Sequence, residues 1–550
     1  MKKISIVAFS VLFCLQNPFA QADFFKNIHF TEADTLRGML RPERSCYDVT
    51  YYDLDIKVDI EKKYISGKND IYFNVKEDFT TLQFDLFENL KISYVLFEGE
   101  QFDFKRKFNA VFVTLPPQKK GSFGVLSIFY EGSPTVAKNA PWDGGFTFTK
   151  DQNGKDWVAT TCEGIGASLW YPCKDHLSDE PDSMGIHVRV PTGLQAVSNG
   201  NLRSSENTDD GFTRFDWAVT YPINTYDVAL NIGDYTHFSD VYTAADGEKL
   251  ALDYYVMPYN LAKARTQFEQ VKPMLACYER FLGKYPFWRD GYALIETPHL
   301  GMEHQSGIAY GNKYQRGYLG GRMPSDMNWD FIIVHESGHE YWGNALSVRD
   351  HAEMWMHESF TTYMEALYTE CTLGYDAALR YLEYQKSYIK NKEPMLGPLN
   401  VNFSRWSSAD QYYKGSWMLH TLRNAIDDDR LWFDILKTFY KNHAIGSVTT
   451  RDFTDYVNRR TKKNFTPFFE QYLSFANMPE LLCKTEQDGE TLRVTYRWQA
   501  DVADFQMPIK MGKKGNYKTV NPVTNKWKTE KFRHCKAEDF RVATELFLVN

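Results

Sequence analysis

No run of about twenty uncharged apolar residues occurs in the 550-residue chain, so no membrane-spanning helix is expected. Basic residues are not in excess. Lys and Arg number 63 against 71 Asp and Glu, a formal charge of −8, and the basic face that nucleic-acid binding requires is missing. The eight cysteines contain no Cys-x-x-Cys pair, which removes the common thiolate zinc sites. There is no internal repeat and no low-complexity tract. What is present is a long chain, 43% hydrophobic and 16% aromatic. That suits a globular protein of two to four domains, because one core rarely serves so many residues.

The amino terminus reads as a signal peptide, residues 1–22. Lys2 and Lys3 precede a short apolar run, residues 4–15, and Ala20-Gln21-Ala22 offers a small-x-small cleavage site. Cys14 raises lipidation as an alternative, but Leu12-Phe13 lack the small residue that a lipobox carries. The mature chain is expected to be soluble, exported, and periplasmic or extracellular. Cleavage removes two lysines and no acid, taking the charge from −8 to −10. Seven cysteines then remain. An oxidising compartment permits bridges. Cys483 with Cys535 is one candidate staple, and buried free thiols are the other reading.

The polarity pattern divides the mature chain into three. Residues 23–257 read as a mostly antiparallel β-domain. Tyr52, Leu54, Ile56, Val58 and Ile60 alternate with polar residues, residues 65–68 look like a turn, and residues 71–75, 126–130, 186–190 and 226–232 look like strands. Residues 258–478 read as mainly helical, with segments at 261–281, 330–341, 353–371, 377–390, 412–427, 430–442 and 453–461. Residues 479–550 return to a short β-module with a last strand at 545–549. The fold class is therefore multidomain α+β.

Within the helical part stands His335-Glu336-Ser337-Gly338-His339, followed by Glu358. Residues four apart on a helix have Cβ atoms about 6 Å apart on one face, so His335 and His339 can share one metal ion. Glu358, nineteen positions after His339, can supply a third ligand from a second helix. Two imidazoles, a carboxylate and an open fourth position form the catalytic arrangement for zinc. One such ion would lower the pKa of its water and polarise a carbonyl, with Glu336 as the base that moves the proton. Glu365, two turns beyond Glu358, either accepts the other N–H of a ligand histidine or is a surface glutamate. His351 and His357 are competing ligand candidates, but only the 335/339 pair has helical spacing and an intervening Glu.

These motifs resemble the M1 (gluzincin) family of zinc aminopeptidases. The spacing from His335 to Glu358 matches the family's HExxH, eighteen residues, then Glu. Tyr341-Trp342-Gly343-Asn344 resembles W-F/W-G-N, and residues 355–363 resemble W-x-N-E-G-F-A-T-Y. Gly301-Met302-Glu303-His304 resembles G-x-M-E-N, and Tyr412-Tyr413-Lys414-Gly415 resembles Y-E-K-G. Residues 163–175 resemble the stretch that ends in F-P-C-x-D. The resemblance implies a thermolysin-like catalytic domain with a small internal sheet. It also implies that peptides with a free N-terminus are cut by metal-activated water. Glu303, assisted by Glu163, would hold the substrate's α-ammonium. Gly301 and Met302 would line the substrate like an added strand. Tyr412 would stabilise the oxyanion, with Tyr413 as the neighbouring alternative. His304 and His357 stand where the family has Asn, and each is expected to add a group titrating near neutrality. The chain leaves room for only the small β-module after the catalytic domain, so an open site is expected. Three other activities stay in view. Epoxide opening on a lipid predicts loss of peptide cleavage with retained epoxide opening, an endopeptidase predicts cleavage of N-acetylated peptides, and a non-catalytic binding protein predicts no turnover on any peptide.

Overall fold

The computed structural model describes residues 23–550; the expected signal peptide lies outside the described residues. The alternating strand Tyr47–Asp59 sits at the centre of an eight-stranded sheet. It pairs antiparallel with Tyr64–Val75 and parallel with Ser183–Pro191. The other pairings in this sheet are antiparallel. Its apolar positions Leu54, Ile56 and Val58 are fully buried, as a period of two with one covered face demands. The expected turn at residues 65–68 is instead part of the second strand, and the chain reverses at residues 60–63. Gly67 is there because the strands press together: a Cβ would lie 2.0 Å from Asp55 O. The expected strand at residues 226–232 is a 3-10 turn, Thr225–Asp227, followed by the short strand Asn231–Gly233.

The polar face of this sheet carries a charge ladder. His187 Nε2 lies 2.8 Å from Asp53 Oδ1, and its Nδ1 contacts Asp216. The bond from Asp53, with help from Asp216, outweighs partial burial and raises the pKa of His187. A raised folded-state pKa gives stability that is complete below the unfolded value, about 6.5, and is lost as pH rises through the folded value. His187→Gln should therefore lower the urea midpoint more at pH 6 than at pH 9. An equal loss at both would count against the imidazolium bridge.

A five-stranded sheet joins the first and second parts of the chain. Its order is Thr236–Thr243, Lys249–Val256, Tyr292–Glu296, Ile308–Tyr310, Gly301–Met302. It spans the expected boundary at 257/258, since Lys249–Val256 pairs in parallel with Tyr292–Glu296. Alternation identifies a strand but not its partner, so the sequence could not place these strands. The helix Val271–Phe281 lies in sequence between two of the sheet's strands, and Phe331–His339, Trp355–Leu373, Tyr375–Gln385, Tyr413–Ile426, Asp429–His443, Thr450–Thr461 and Thr466–Ser474 follow the sheet. Fully buried Trp342, Trp355, Trp417 and Trp432 fill the space between them. A disulfide, Cys277–Cys371, ties Val271–Phe281 to Trp355–Leu373. Cys483 and Cys535 are free.

Two three-stranded sheets make up the carboxy-terminal module. The expected last strand at residues 545–549 is absent; Phe540–Val542 is the last. The final residues instead form a strap held partly by the backbone of residues 479–481 and partly by helix side chains. Leu548 N donates to Thr421 Oγ1 (2.9 Å) and Tyr472 OH donates to Leu548 O (2.5 Å). No helix of the described residues is long and apolar enough to cross a membrane.

Candidate metal centre and the cleft around it

Asp330 starts the histidine helix Phe331–His339 by accepting from the N–H groups of Ile332 (3.0 Å) and Ile333 (3.3 Å). The side chains of Tyr310 and Gln267 hold its other oxygen at 2.7 and 2.8 Å. The helix start is thereby fixed to the five-stranded sheet. Gly338 then allows Trp355–Leu373 to approach closely, since a Cβ there would lie 3.0 Å from Thr361 Cγ2. The two helices bring three ligand atoms together. His335 Nε2 and His339 Nε2 are 3.2 Å apart, and Glu358 Oε2 lies 3.5 and 3.4 Å from them.

The other ring nitrogens set the tautomers. His335 Nδ1 lies 2.8 Å from Glu365 Oε1, and His339 Nδ1 lies 3.1 Å from Trp342 O. Each ring therefore donates from Nδ1 and turns its Nε2 lone pair inward. Glu358 Oε2 is buried without a hydrogen-bond donor. Two lone pairs and an anionic oxygen converging out of water call for a cation, and the donor set suits zinc. Burial works against charge on His335, but Glu358 and Glu365 outweigh it and hold its pKa well above the usual imidazole value; an ion bound there would displace that Nε2 proton and use the lone pair. Burial likewise opposes ionisation of Glu358, and His339 and His335 overcome it, holding the carboxyl below its usual range. Glu365 is no surface residue. It is fully buried and also accepts from Tyr381 OH (2.5 Å) and Gln385 Nε2 (3.3 Å).

Glu336 faces the strand Gly301–Met302, where a Cβ on Gly301 would sit 2.7 Å from Glu336 Oε1. Only glycine leaves room for that carboxylate. Burial pushes Glu336 up to about 7. Gly301–Met302 pairs with Ile308–Tyr310 and forms the outer edge of its sheet, so its other side can take an extended peptide. Glu303 follows directly, 3% exposed, with Tyr226 OH donating to Oε1 at 3.2 Å. Glu163 lies just past the strand Asp156–Thr161 and is partly open to the cleft. Burial, then Glu303, pushes its carboxyl well up. Neither glutamate forms an ion pair with a described residue.

Tyr412 OH donates to Glu358 Oε1 at 2.9 Å. Its helix, Tyr413–Ile426, packs so closely that a Cβ on Gly415 would lie 1.7 Å from Ser359 Oγ. The ring of Tyr413 turns away and stacks on Tyr388 at 5.0 Å.

The remaining histidines do not join the cluster. His357 Nε2 accepts from Val348 N (3.1 Å), and burial pushes His351 down to about 4 and His357 to about 3. His304 is buried with both nitrogens unpartnered and is pushed down to about 3. The expectation that His304 and His357 titrate near neutrality is thus corrected, because desolvation keeps both rings neutral.

Sequence reasoning missed Arg37. Its segment, Glu32–Gly38, precedes the first β pattern. Arg37 Nη2 donates to Gly164 O at 3.1 Å, beside Glu163. With its amide nitrogen turned to His351 Nε2 (3.1 Å), Asn402 accepts from Arg37 Nη2 (3.0 Å) and Nε (3.1 Å). Gly38 leaves no space for a Cβ, which would lie 2.2 Å from Asn402 N. Nothing in the local pattern around residue 37 signals these partners, which lie more than 120 residues away.

This fold and site have the form of a helix-borne HExxH centre in which two histidines and a carboxylate could hold one metal ion. Residues 267–472 match the peptidase family M1 domain, and residues 49–226 match the peptidase M1 N-terminal domain. The chain belongs to peptidase family M1. Aminopeptidase N of Escherichia coli is 22% identical over 474 residues, 82% of this chain and 51% of that protein. Aminopeptidase N of Haemophilus influenzae is 22% identical over 431 residues, 74% of this chain and 47% of that protein. The chain thus spans about half the length of these relatives. A variant of the M1 zinc metallopeptidase of Deinococcus radiodurans, bound to a Tyr-Ser-Ala substrate, superposes with a TM-score of 0.64. The two are 20% identical, over 78% of this chain and 95% of that one. Aminopeptidase A of Legionella pneumophila, in complex with aspartic acid, gives 0.73 at 16% identity, over 89% of this chain and 57% of that one.

Proposed function

We propose that this protein is a zinc-dependent aminopeptidase that hydrolyses the N-terminal peptide bond of peptides. The observation that carries the reading is the pair Glu303 and Glu163 beside the His335–His339–Glu358 cluster. Two carboxylates in a shielded cleft, neither with an ion-pair partner among the described residues, repel each other, and a substrate ammonium relieves them. An internal peptide bond brings no such charge. Zinc held by His335, His339 and Glu358 would supply Lewis acidity and an acidified water at the scissile carbonyl. Glu336 accepts the proton of the attacking water and returns it to the leaving amine. Tyr412 turns its hydroxyl from Glu358 to the oxyanion as charge develops there. The outer edge of Gly301–Met302 aligns the peptide backbone. The tripeptide substrate held by the Deinococcus relative is in keeping with this reading.

Export is the location that fits. The leader pattern of residues 1–22 and the disulfide Cys277–Cys371 both suit an oxidising compartment outside the cytoplasm.

The test is a panel of aminoacyl-p-nitroanilides, each also N-acetylated, with and without a zinc chelator. Turnover of the free-amine forms alone, lost with chelator and restored by zinc, is the expected result. Turnover of the acetylated forms would move the activity to endopeptidase and remove the role of Glu303.

A further inference from the structure

Two runs of rings leave the metal cluster and meet again at one guanidinium. On one side Phe331 stacks on His335 (5.1 Å between ring centres), and Tyr318 packs edge-on against Phe331 (5.6 Å). On the other, Tyr412 stacks on His335 (5.9 Å), Tyr413 follows (6.4 Å), and Tyr388 stacks on Tyr413 (5.0 Å). Arg322 closes the circuit, with its Cζ 4.4 Å from the ring centre of Tyr318 and 5.8 Å from that of Tyr388. All five aromatic residues are partly exposed, whereas Ile332, Gln411 and Lys414 beside them in sequence are buried. They leave a partly accessible aromatic surface beside the cluster.

We propose that Arg322 receives a carboxylate on the leaving-group side of the cleft, that of the C-terminus of a short peptide substrate. This rests on the aminopeptidase reading above. Three observations support it. First, the guanidinium carbon lies over the Tyr318 ring, and a guanidinium can give a two-pronged bond to a carboxylate. Among the described residues nothing accepts from it. Its neighbours are engaged: Arg316 donates to Met327 O (2.7 Å), and Arg380 pairs with Asp326 (2.7 Å).

Second, the turn that presents Arg322 is built. Leu319 and Arg322 have φ of 49° and 52°, a left-handed conformation that L residues adopt at a cost. Asn312 holds it, donating to Gln315 O (2.7 Å) and Gly317 O (2.8 Å) and accepting from Leu319 N (2.7 Å).

Third, the direction is right. Oxygens of Glu303 and Glu336 and a ring nitrogen of His339 lie within 4.8 Å of one another, while Arg322 sits at the far end of both ring runs, by Tyr318 and Tyr388. A peptide with its ammonium at the glutamates and its scissile carbonyl beside His335 and Tyr412 continues toward Phe331, Tyr318 and Arg322. A leaving fragment of two or three extended residues reaches about 7 to 10 Å from the scissile bond in that direction.

The experiment compares kcat/KM for a tripeptide with a free C-terminal carboxylate, for its C-terminal amide, and for an amide-capped peptide with Asp as third residue. Wild type, Arg322→Met and Arg322→Lys are measured, each acid-to-amide ratio being taken within one protein. Wild type should prefer the free acid by about three- to tenfold, mainly through KM, as expected of one solvent-accessible charge-assisted pair. The ratio should fall to near one in Arg322→Met, survive in part in Arg322→Lys, and shrink with salt in wild type. An acid preference that persists in Arg322→Met, or a wild-type ratio of one, would overturn the proposal. A preference carried by the Asp peptide and not by the free terminus would overturn its source. An aminoacyl-p-nitroanilide serves as the arm without a leaving-side carboxylate. No wild-type turnover of it removes the underlying aminopeptidase reading, whereas turnover with equal acid and amide rates removes this inference alone.

Discussion

Replacing Glu336 by Gln is expected to lower kcat by about a thousandfold while changing KM little, because a positioned proton acceptor contributes about 10²- to 10⁴-fold. Gln has nearly the same shape, so the contact with Gly301 survives, but an amide cannot take a proton from water. The variant also settles the composition of the metal cluster. Glu336, Glu303 and His339 form a second group of three potential ligand atoms close to one another. If Glu336 is the base, the Gln variant keeps its full zinc content by elemental analysis. Zinc lost together with activity would make Glu336 a ligand and leave the base unassigned.

Stripping the metal is expected to abolish turnover and also to lower the thermal midpoint. His335, His339 and Glu358 are buried, and their converging atoms have no protein donor that satisfies all three. An ion bound only by the folded state stabilises it by about 4 kcal/mol when its free concentration is a thousand times Kd. Calorimetry of the stripped protein, with zinc then restored, measures both effects. The partner of His335 should matter as well. Glu365→Gln keeps the hydrogen bond but removes the charge, and loss of such a partner typically weakens metal binding about 10- to 100-fold. A stripped protein as stable as the loaded one would mean that the cluster is held by the surrounding fold without help from the ion.

The centre was legible in the sequence because its spacing is local. Helical period alone places His335 over His339, and the Glu after it needs only a second helix nearby. Glu303, Glu163 and Tyr412 have no local pattern and entered through the family resemblance. The β-domain was legible as alternation, but strand partners were not, so the expected boundary at 257/258 cuts a sheet. The strap at residues 543–550 was misread because buried Phe547 and Leu548 give the same apolar signal whether a segment pairs with a strand or lies on helices. The bridge Cys277–Cys371 joins residues 94 apart, a pairing that spacing does not reveal. The protonation of His304 and His357 follows from desolvation, a property of the whole packed interior.

The position of Arg37 bears on how the cleft breathes. One guanidinium is bonded both to the turn that carries Glu163 and to the loop that leads to Tyr412. The rings of Phe25 and Phe403, 5.3 Å apart, press the preceding turn, Asp23–Asn27, onto that loop. None of the three segments can open without undoing the contacts of the other two. Their hydrogen-bonded backbone amides, at residues 35, 39, 165, 166 and 400, should then exchange with deuterium as one cooperative unit. The glutamate that greets the substrate and the tyrosine that meets the oxyanion would be released, or held, by a single opening event.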